Sequence, residues 1–440
     1  MSFYSALPAS LAPIVQNGLL TGVFEEALTP LALYDMLAEL RPWGGERGAQ
    51  AIMTRPGMMP ISTTAVTGQD APLSGYGFEQ YSMFMNQYGT SIDTNMAVSA
   101  MALASKFVED NQKLGENAAL SLNAQAQQML YNAFGGGTTW ATEATSASTT
   151  VTVADGAGFT QAYTFGPSVT GNTEGLNAAP SLVLAPVSSA NPLSVTIGGT
   201  ANTVTGVTFT SGTSGAATLT LGTAATAADG AAVISLQGPT QFRPNGRASA
   251  NQLVAGDVVT LATFQSAVAR LRAQNVPTIG GAYTAHVAPE TITELFADPA
   301  FQSAYRGRAD SPVYRNLALG RFAGIDWIDN SLTPTETNQA GVEVFRPIVA
   351  GRGCLVKGPF EKMGDLVSAE NAGAFVHIEM IRGVARILRP ALDRFGQVLS
   401  STWSWIGGYA VGSDALMERG QPNSSTSSAL YKRAVVIEHA

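Results

Sequence analysis

Apolar residues recur every three or four positions from about residue 97 to residue 134. Leu103, Phe107, Leu114, Ala118, Leu122, Ala126, Met129 and Ala133 fall on one stripe of that period. The spacing predicts one long helix, roughly 55 Å at ~1.5 Å per residue. "FGGG" at 134–137 supplies its stop, with glycine where a left-handed C-cap is needed. The stripe is narrow and rich in alanine, which predicts packing on one side only, against a sheet. Gly115 costs about 1 kcal/mol relative to alanine in a helix interior and is expected to mark a bend. An earlier amphipathic stretch, "VFEEALTPLALYDMLAEL", ends at Pro42, with Glu25 and Glu26 near its start where the helix dipole favours anions.

Between these, residues 47–94 show no helical period. "QAIMTRPGMMPIS" and "EQYSMFMNQYGTSID" flank the turn-rich "TGQDAPLSGYG", the pattern of a long hairpin-like arm. Met53, Met58, Met59, Met83 and Met85 stud it, and methionine adapts to irregular surfaces.

After the helix the rhythm changes to alternation. "TTVTVAD", "SLVLAP", "LSVTIGG", "TVTGVTFT", "AATLTLG" and "AAVISLQG" alternate apolar with small polar residues, with Gly, Asn and Pro between them. Short strands at such spacing predict an antiparallel sandwich or barrel inserted over 138–242. From about 246 a mixed pattern resumes. "LATFQSAVARLRAQNV" reads as a helix ending at Pro277, "AYTAHVAP" as a strand, and "ETITELFADPAFQSAYRG" as helix broken near Pro299. "GRFAGIDWIDNSLTP", "VEVFRPIVAGRGCLVKGP", "AFVHIEMIRGVARILRPAL", "STWSWIGGYAV" and "YKRAVVIEHA" read as further strands. The class is α+β.

Charge sharpens this division. Residues 1–137 hold 5 basic and 11 acidic groups, residues 138–242 hold none and 4, and residues 243–440 hold 19 and 17. The net charge of −8 argues against a nucleic-acid binder held by phosphate contacts. Only 13% of residues are charged, about half the usual share, while 45% are hydrophobic. So little charge leaves much neutral surface, which suits burial against other subunits. Of the 24 bases 19 are arginine, the residue suited to desolvated bidentate pairing. Cys354 stands alone, so no intrachain disulfide is expected. "MSFYSALPASLAPIVQNGLL" lacks the basic region of a secretory signal, and no stretch reaches ~18 apolar residues. A soluble protein of a reducing cytoplasm is the expectation.

Catalytic constellations are missing from the pattern. His286, His377 and His439 are far apart and have no zinc-ligand spacing. "GRGCLVKGP" lacks the Lys-Ser/Thr ending of a phosphate loop, and no G-x-S-x-G elbow occurs. Asp326 and Asp329 in "GIDWIDN" read as strand-end carboxylates capping a turn rather than an acid pair. No enzyme, catalytic residue, metal or cofactor is assigned.

The order of these pieces, an N-terminal arm, a long hairpin, a long helix and a mixed domain ending in "RPALDRFGQVLSSTWSWIGGYAV", with "QYGTSIDTN" leading into the long helix and "LATFQSAVARLRAQNVPTIGGAYTAHVAPETITELFADPAF", resembles the major capsid proteins of tailed bacteriophages. The resemblance is to the branch typified by the capsid proteins of N4-like podoviruses, and it covers most of the chain outside 138–242. It implies the Hong Kong 97-like viral capsid fold. The expected parts are an N-terminal arm over 1–46, an extended loop over 47–95, and the spine helix of the peripheral domain over 96–137. An inserted β-sandwich at 138–245, an axial domain at 246–375 and return strands of both domains at 376–440 complete the set.

In that fold the extended loop reaches over a neighbouring subunit. Arg55, Met58, Met59, Tyr76, Phe78 and Tyr81 are the expected subunit contacts, since interface cores favour aromatics, Met and Arg. Leu103, Phe107, Leu114, Leu122 and Met129 are the expected spine core. The limb at 47–134 is expected to be stabilised by sister copies rather than by its own domain. The resemblance further implies hexamers and pentamers of a closed shell in the virion, assembled in the host bacterial cytoplasm. Packaged double-stranded DNA would be enclosed without sequence-specific binding and without a membrane. Scaffolding and portal proteins are implied partners, and a decoration protein is compatible. Residues 47–95 contain no lysine, so no lysine cross-link through the loop is expected. The alternatives are an encapsulin-like nanocompartment shell and a cell-surface protein with an immunoglobulin-like module. The absent signal peptide disfavours the latter.

Overall fold

The computed structural model describes residues 19–28, 33–42, 50–59, 61–63, 65, 68, 70, 76–95, 106–166, 181–306, 320–360, 377–389, 398–418, 421–422 and 425–440. The expected N-terminal arm before residue 19, the helix start with Leu103, and most of the loop tip lie outside them. The chain divides into two compact units, Met1–Met53 with Ser82–Met129 and Leu355–Ala410, and Thr54–Tyr81 with Leu130–Cys354 and Val411–Ala440.

The first unit is built on one sheet. Its order is Ala38–Leu40, Leu355–Pro359, Val398–Ala410, Val384–Arg389, His377–Ile381, and Asn86–Asn95 also pairs with Val398–Ala410. Residues 400–404 pair with both 385–389 and 89–93 through the whole register, so these two strands flank Val398–Ala410 on opposite sides. The second half of the expected hairpin is therefore divided at Met85. Phe78–Phe84 pairs with Gln50–Pro56, whereas Asn86–Asn95 is a strand of the body sheet.

The long helix runs unbroken from Lys106 to Phe134. Phe107, Leu114, Ala118, Leu122 and Ala126 are buried, but so are Asn111, Ala119, Asn123 and Leu130, while Met129 is half-buried. The buried face is wider than one stripe because the helix meets more than a sheet. Trp403 of the sheet donates its indole N–H to Asn117 Oδ1 at 3.0 Å. Asn123 Oδ1 accepts the Tyr34 N–H at 2.7 Å. Gly115 lies against the short helix Leu19–Leu28, where a Cβ would come 2.9 Å from the Phe24 carbonyl oxygen. That glycine allows close helix approach rather than a bend.

The amphipathic stretch ending at Pro42 is not one helix. After Leu19–Leu28 it forms a 3₁₀ turn at Tyr34–Leu37 and then a strand, Ala38–Leu40, parallel to Leu355–Pro359. Pro30 falls between the helix and the turn, and proline removes a helix donor and restricts the residue before it.

The second unit holds a mixed sheet ordered Gln241–Phe242, Ala434–Ile437, Ile348–Ala350, Tyr283–Val287, Ile325–Asp329, Arg321–Phe322. The helix Leu261–Ala273 contributes Leu261, Phe264, Ala267, Val268 and Leu271 to the core that this sheet shares with Trp327, Val349, Val435 and Ile437. All five residues of Tyr283–Val287 are buried. Beside this core, Glu438 is buried between Arg243 at 2.6 Å and Arg346 at 3.0 Å. Burial alone would raise its pKa, but the two guanidiniums hold it below the usual carboxylate range.

The inserted module, in the same unit, is a single six-stranded antiparallel sheet. Its order is Thr138–Trp140, Ala232–Ser235, Leu193–Ile197, Thr200–Phe209, Ala217–Ala227, Thr145–Val153. A two-stranded ribbon, Gln161–Gly166 with Ser181–Pro186, adds Ala162 to its core of Val151, Val153, Leu193, Val195, Leu219 and neighbours. The strand runs read from alternation are present, and the two end strands meet at an antiparallel Ala141–Val153 bridge, where the Ala154 N–H donates to the Trp140 carbonyl at 3.1 Å, so the sheet closes on itself as the barrel alternative expects, with the ribbon beside it. The module leaves and returns to the body at adjacent glycines. Gly137 has φ +80°, and a Cβ there would lie 2.9 Å from Gly238 Cα.

Candidate assembly surface

Successive residues of a strand point to opposite sides. On Gln50–Pro56, Ala51, Met53 and Arg55 are covered while Gln50, Ile52, Thr54 and Pro56 are exposed. On Phe78–Phe84, Glu79, Tyr81 and Met83 are covered while Phe78, Gln80, Ser82 and Phe84 are exposed. The ribbon thus has an anchored face and an outer face.

The anchored face of its second-unit part is tied down by charge. Arg55 Nη1 donates to Asp414 Oδ2 at 2.9 Å and to the Gly412 carbonyl at 3.1 Å, and Nη2 donates to the Gly353 carbonyl at 3.0 Å. Its guanidinium lies 5.5 Å from the centre of the Tyr81 ring. Asp414 also accepts from Arg433 Nε at 3.0 Å. Glu79 is 2% exposed and accepts the backbone N–H groups of Ala415 at 3.0 Å and Leu416 at 2.5 Å. Burial pushes its pKa up, against those hydrogen bonds. Lys432 is buried beside them and donates to the Ala415 carbonyl at 3.2 Å and to Glu418 at 3.2 Å.

The outer face is apolar. Ile52 is 66% exposed, Phe78 53% and Phe84 58%, and beyond the strand ends Met59, Ile61 and Tyr76 are exposed as well. Among the described residues, exposed large apolar side chains are concentrated over 52–84. Tyr76 and Phe78 lean on each other with ring centres 5.1 Å apart.

Of the six residues expected to meet another subunit, Met59, Tyr76 and Phe78 are exposed. Arg55 and Tyr81 face the chain's own body, and Met58 Sδ accepts from Asn275 Nδ2 at 3.5 Å. The base of the limb is held by its own chain, contrary to the expectation that sister copies alone stabilise it. Ile52, Phe84, Glu79 and Asp414 were not singled out from the sequence. Alternation along "QAIMTRP" places Ile52 opposite Arg55 and is the signal that finds the first of these. Of the spine set, Phe107, Leu114 and Leu122 are buried, Met129 is half-buried, and Leu103 lies outside the described residues.

The remaining candidates stay apart. His286 is fully buried, and burial lowers its pKa to about 4. His439 Nε2 lies 2.8 Å from Thr291 Oγ1, and His377 is 3.1 Å from Glu379. Asp326 pairs with Arg321 at 2.7 Å, across neighbouring strands. Cys354 is buried. Among the described residues no three His, Cys, Asp or Glu side chains are grouped to hold a metal, and no helix is long and apolar enough to cross a membrane.

No protein-family model matches the chain, and no curated protein matches it. Solved structures with a similar course include the capsid of Ralstonia phage GP4, at 9% identity over 92% of this chain and 87% of that one, TM-score 0.49. The head of Helicobacter pylori bacteriophage KHP40 is similar at 9% identity over 93% and 90%, TM-score 0.45. The capsid asymmetric unit of cyanophage Pam1 is similar at 10% identity over 94% and 92%, TM-score 0.44.

Proposed function

We propose that this chain is the major capsid protein of a tailed bacteriophage, with the Hong Kong 97-like fold, and that its copies close into an icosahedral shell around double-stranded DNA. One observation carries the reading: a two-stranded arm, tied to its own chain along one face, turns Ile52, Phe78 and Phe84 outward. Large apolar side chains left exposed along one side of the strands in this way mark an interaction site. The sequence order of arm, long helix and mixed domain supports the same reading. The partner is another copy, in hexamers and pentamers, and the chemistry is assembly rather than catalysis. Met59, Tyr76 and Phe78 of the expected set take the contact, joined by Ile52 and Phe84. Arg55 and Tyr81 instead fix the angle at which the arm leaves.

A separate scaffolding protein and a portal complete assembly in the host cytoplasm, and the acidic chain lines a virion that encloses DNA without gripping it. Covering half-exposed side chains of this size gives about 1 kcal/mol each, so three supply roughly 3 kcal/mol per contact before association costs. Repetition over a shell makes such contacts sufficient. The test is the triple variant Ile52→Ser, Phe78→Ser, Phe84→Ser, expressed with scaffolding protein and viewed by negative-stain microscopy. It should fold and leave no closed particles where the parent forms them. Normal shells from the triple variant would refute the role of the outer face. A parent chain that stays monomeric at high concentration with scaffold present would refute the capsid reading.

A further inference from the structure

The inserted module has a second connection to the body besides its two glycine-lined strands. Tyr163, on the ribbon that caps the module, is fully buried and donates its hydroxyl to the carbonyls of Ser425 at 3.0 Å and Ser428 at 2.6 Å. Gln237, at the module's return strand, pairs both ways with the Tyr163 backbone, accepting its N–H at 3.0 Å and donating to its carbonyl at 2.9 Å. Its amide also donates to the Thr426 carbonyl at 3.0 Å, and its own carbonyl accepts the Leu430 N–H at 3.0 Å. Tyr163, Ala415 and Leu430 form one buried apolar cluster.

The segment gripped in this way is the one that grips the arm. The Leu430 carbonyl accepts the Asp414 N–H at 2.8 Å. Asp414 holds Arg55, and the next two backbone N–H groups hold Glu79. An unbroken series of hydrogen bonds therefore runs from the ribbon, through 425–430, to 414–416 and the arm base.

We infer that the inserted module is a brace, which positions the arm base by locking residues 425–430, and through them 414–416, by way of Tyr163 and Gln237. This goes beyond the shell reading and holds for a single copy, so it is tested on the unassembled full-length chain. Without the lock, 414–416 is fastened on fewer sides and its backbone opens more readily. Coupling of this kind requires a measured effect at the far end.

The experiment is hydrogen–deuterium exchange on Tyr163→Phe, which removes only a hydroxyl, and on Gln237→Met, which keeps the volume. The amides of Ala415 and Leu416, which donate to Glu79, and of Gly57, which donates to Gly77, report on the arm base. Each variant should speed their exchange about tenfold, the effect of losing one net hydrogen bond on local opening. The strand Tyr283–Val287 should be unchanged as the reference for global stability, and Thr164→Ala, exposed on the same ribbon, should alter nothing. Acceleration that stops at 425–430, or that affects Tyr283–Val287 equally, would overturn the brace.

Discussion

His286 lies in the strand Tyr283–Val287, paired on one side with Ile325–Asp329 and on the other with Ile348–Ala350. Asn330 Nδ2 is 3.4 Å from its Nδ1. Burial is what lowers its pKa from 6.5 to about 4, because the imidazolium would be taken out of water. The folded state therefore binds this proton less readily than the unfolded one. The stability linked to it is fully present above pH 6.5 and is lost as pH falls through that value toward 4. At pH 5 nearly all unfolded chains carry the proton and about a tenth of folded ones do, a difference of about 2 kcal/mol at 1.36 kcal/mol per unit. Few ordinary carboxylates titrate above pH 5. The perturbation is His286→Gln, which stays neutral. Urea unfolding of parent and variant at pH 7.5 and pH 5 gives the two pH slopes. The variant is expected to be less stable at pH 7.5 yet to lose about 2 kcal/mol less than the parent on acidification. Parallel pH profiles would refute the reasoning, since they would mean that the folded protein accommodates the charge.

Three further outcomes are expected. Asp414→Asn leaves the half of the Arg55 and Arg433 pairing that carbonyls supply, and breaking a buried pair in this way should cost about 3 kcal/mol, read as a drop in urea midpoint. Ala323 has φ +54° in the two-residue turn before Ile325, followed by Gly324 at +80°, so Ala323→Gly should raise the melting temperature by relieving about 1 kcal/mol of left-handed strain. A Cβ on Gly408 would strike the Phe84 carbonyl oxygen, so Gly408→Ala should destabilise by about 2 kcal/mol or lower the yield of folded chain.

Much of the architecture was legible because it is periodic. The long helix, the helix Leu261–Ala273, the break at Pro299 between Pro289–Ala297 and Pro299–Arg306, and the strands of the inserted module all follow local repeats. The stretch around Pro30 misled because an amphipathic helix and a strand entering a sheet can share apolar spacing over a few residues. A single-sided stripe favours Met129 over Leu130, whereas Leu130 is the buried one. The anchoring of the arm was least legible. Arg55 meets Asp414 across 359 residues of chain, and nothing local distinguishes an arginine that fixes a hinge from one that waits for a partner. Glu79 reads as a surface carboxylate until the backbone of 415–416 is seen around it.

Gly137 and Gly238 bring the two ends of a hundred-residue excursion together, so the chain could be closed there by a short turn or reopened onto foreign cargo. Geometry at the doorway imposes almost no limit on the size of what is grafted. The limit comes from farther along the chain: a replacement that drops the tyrosine reaching Ser425 and Ser428 would leave the segment around Asp414 fastened on fewer sides.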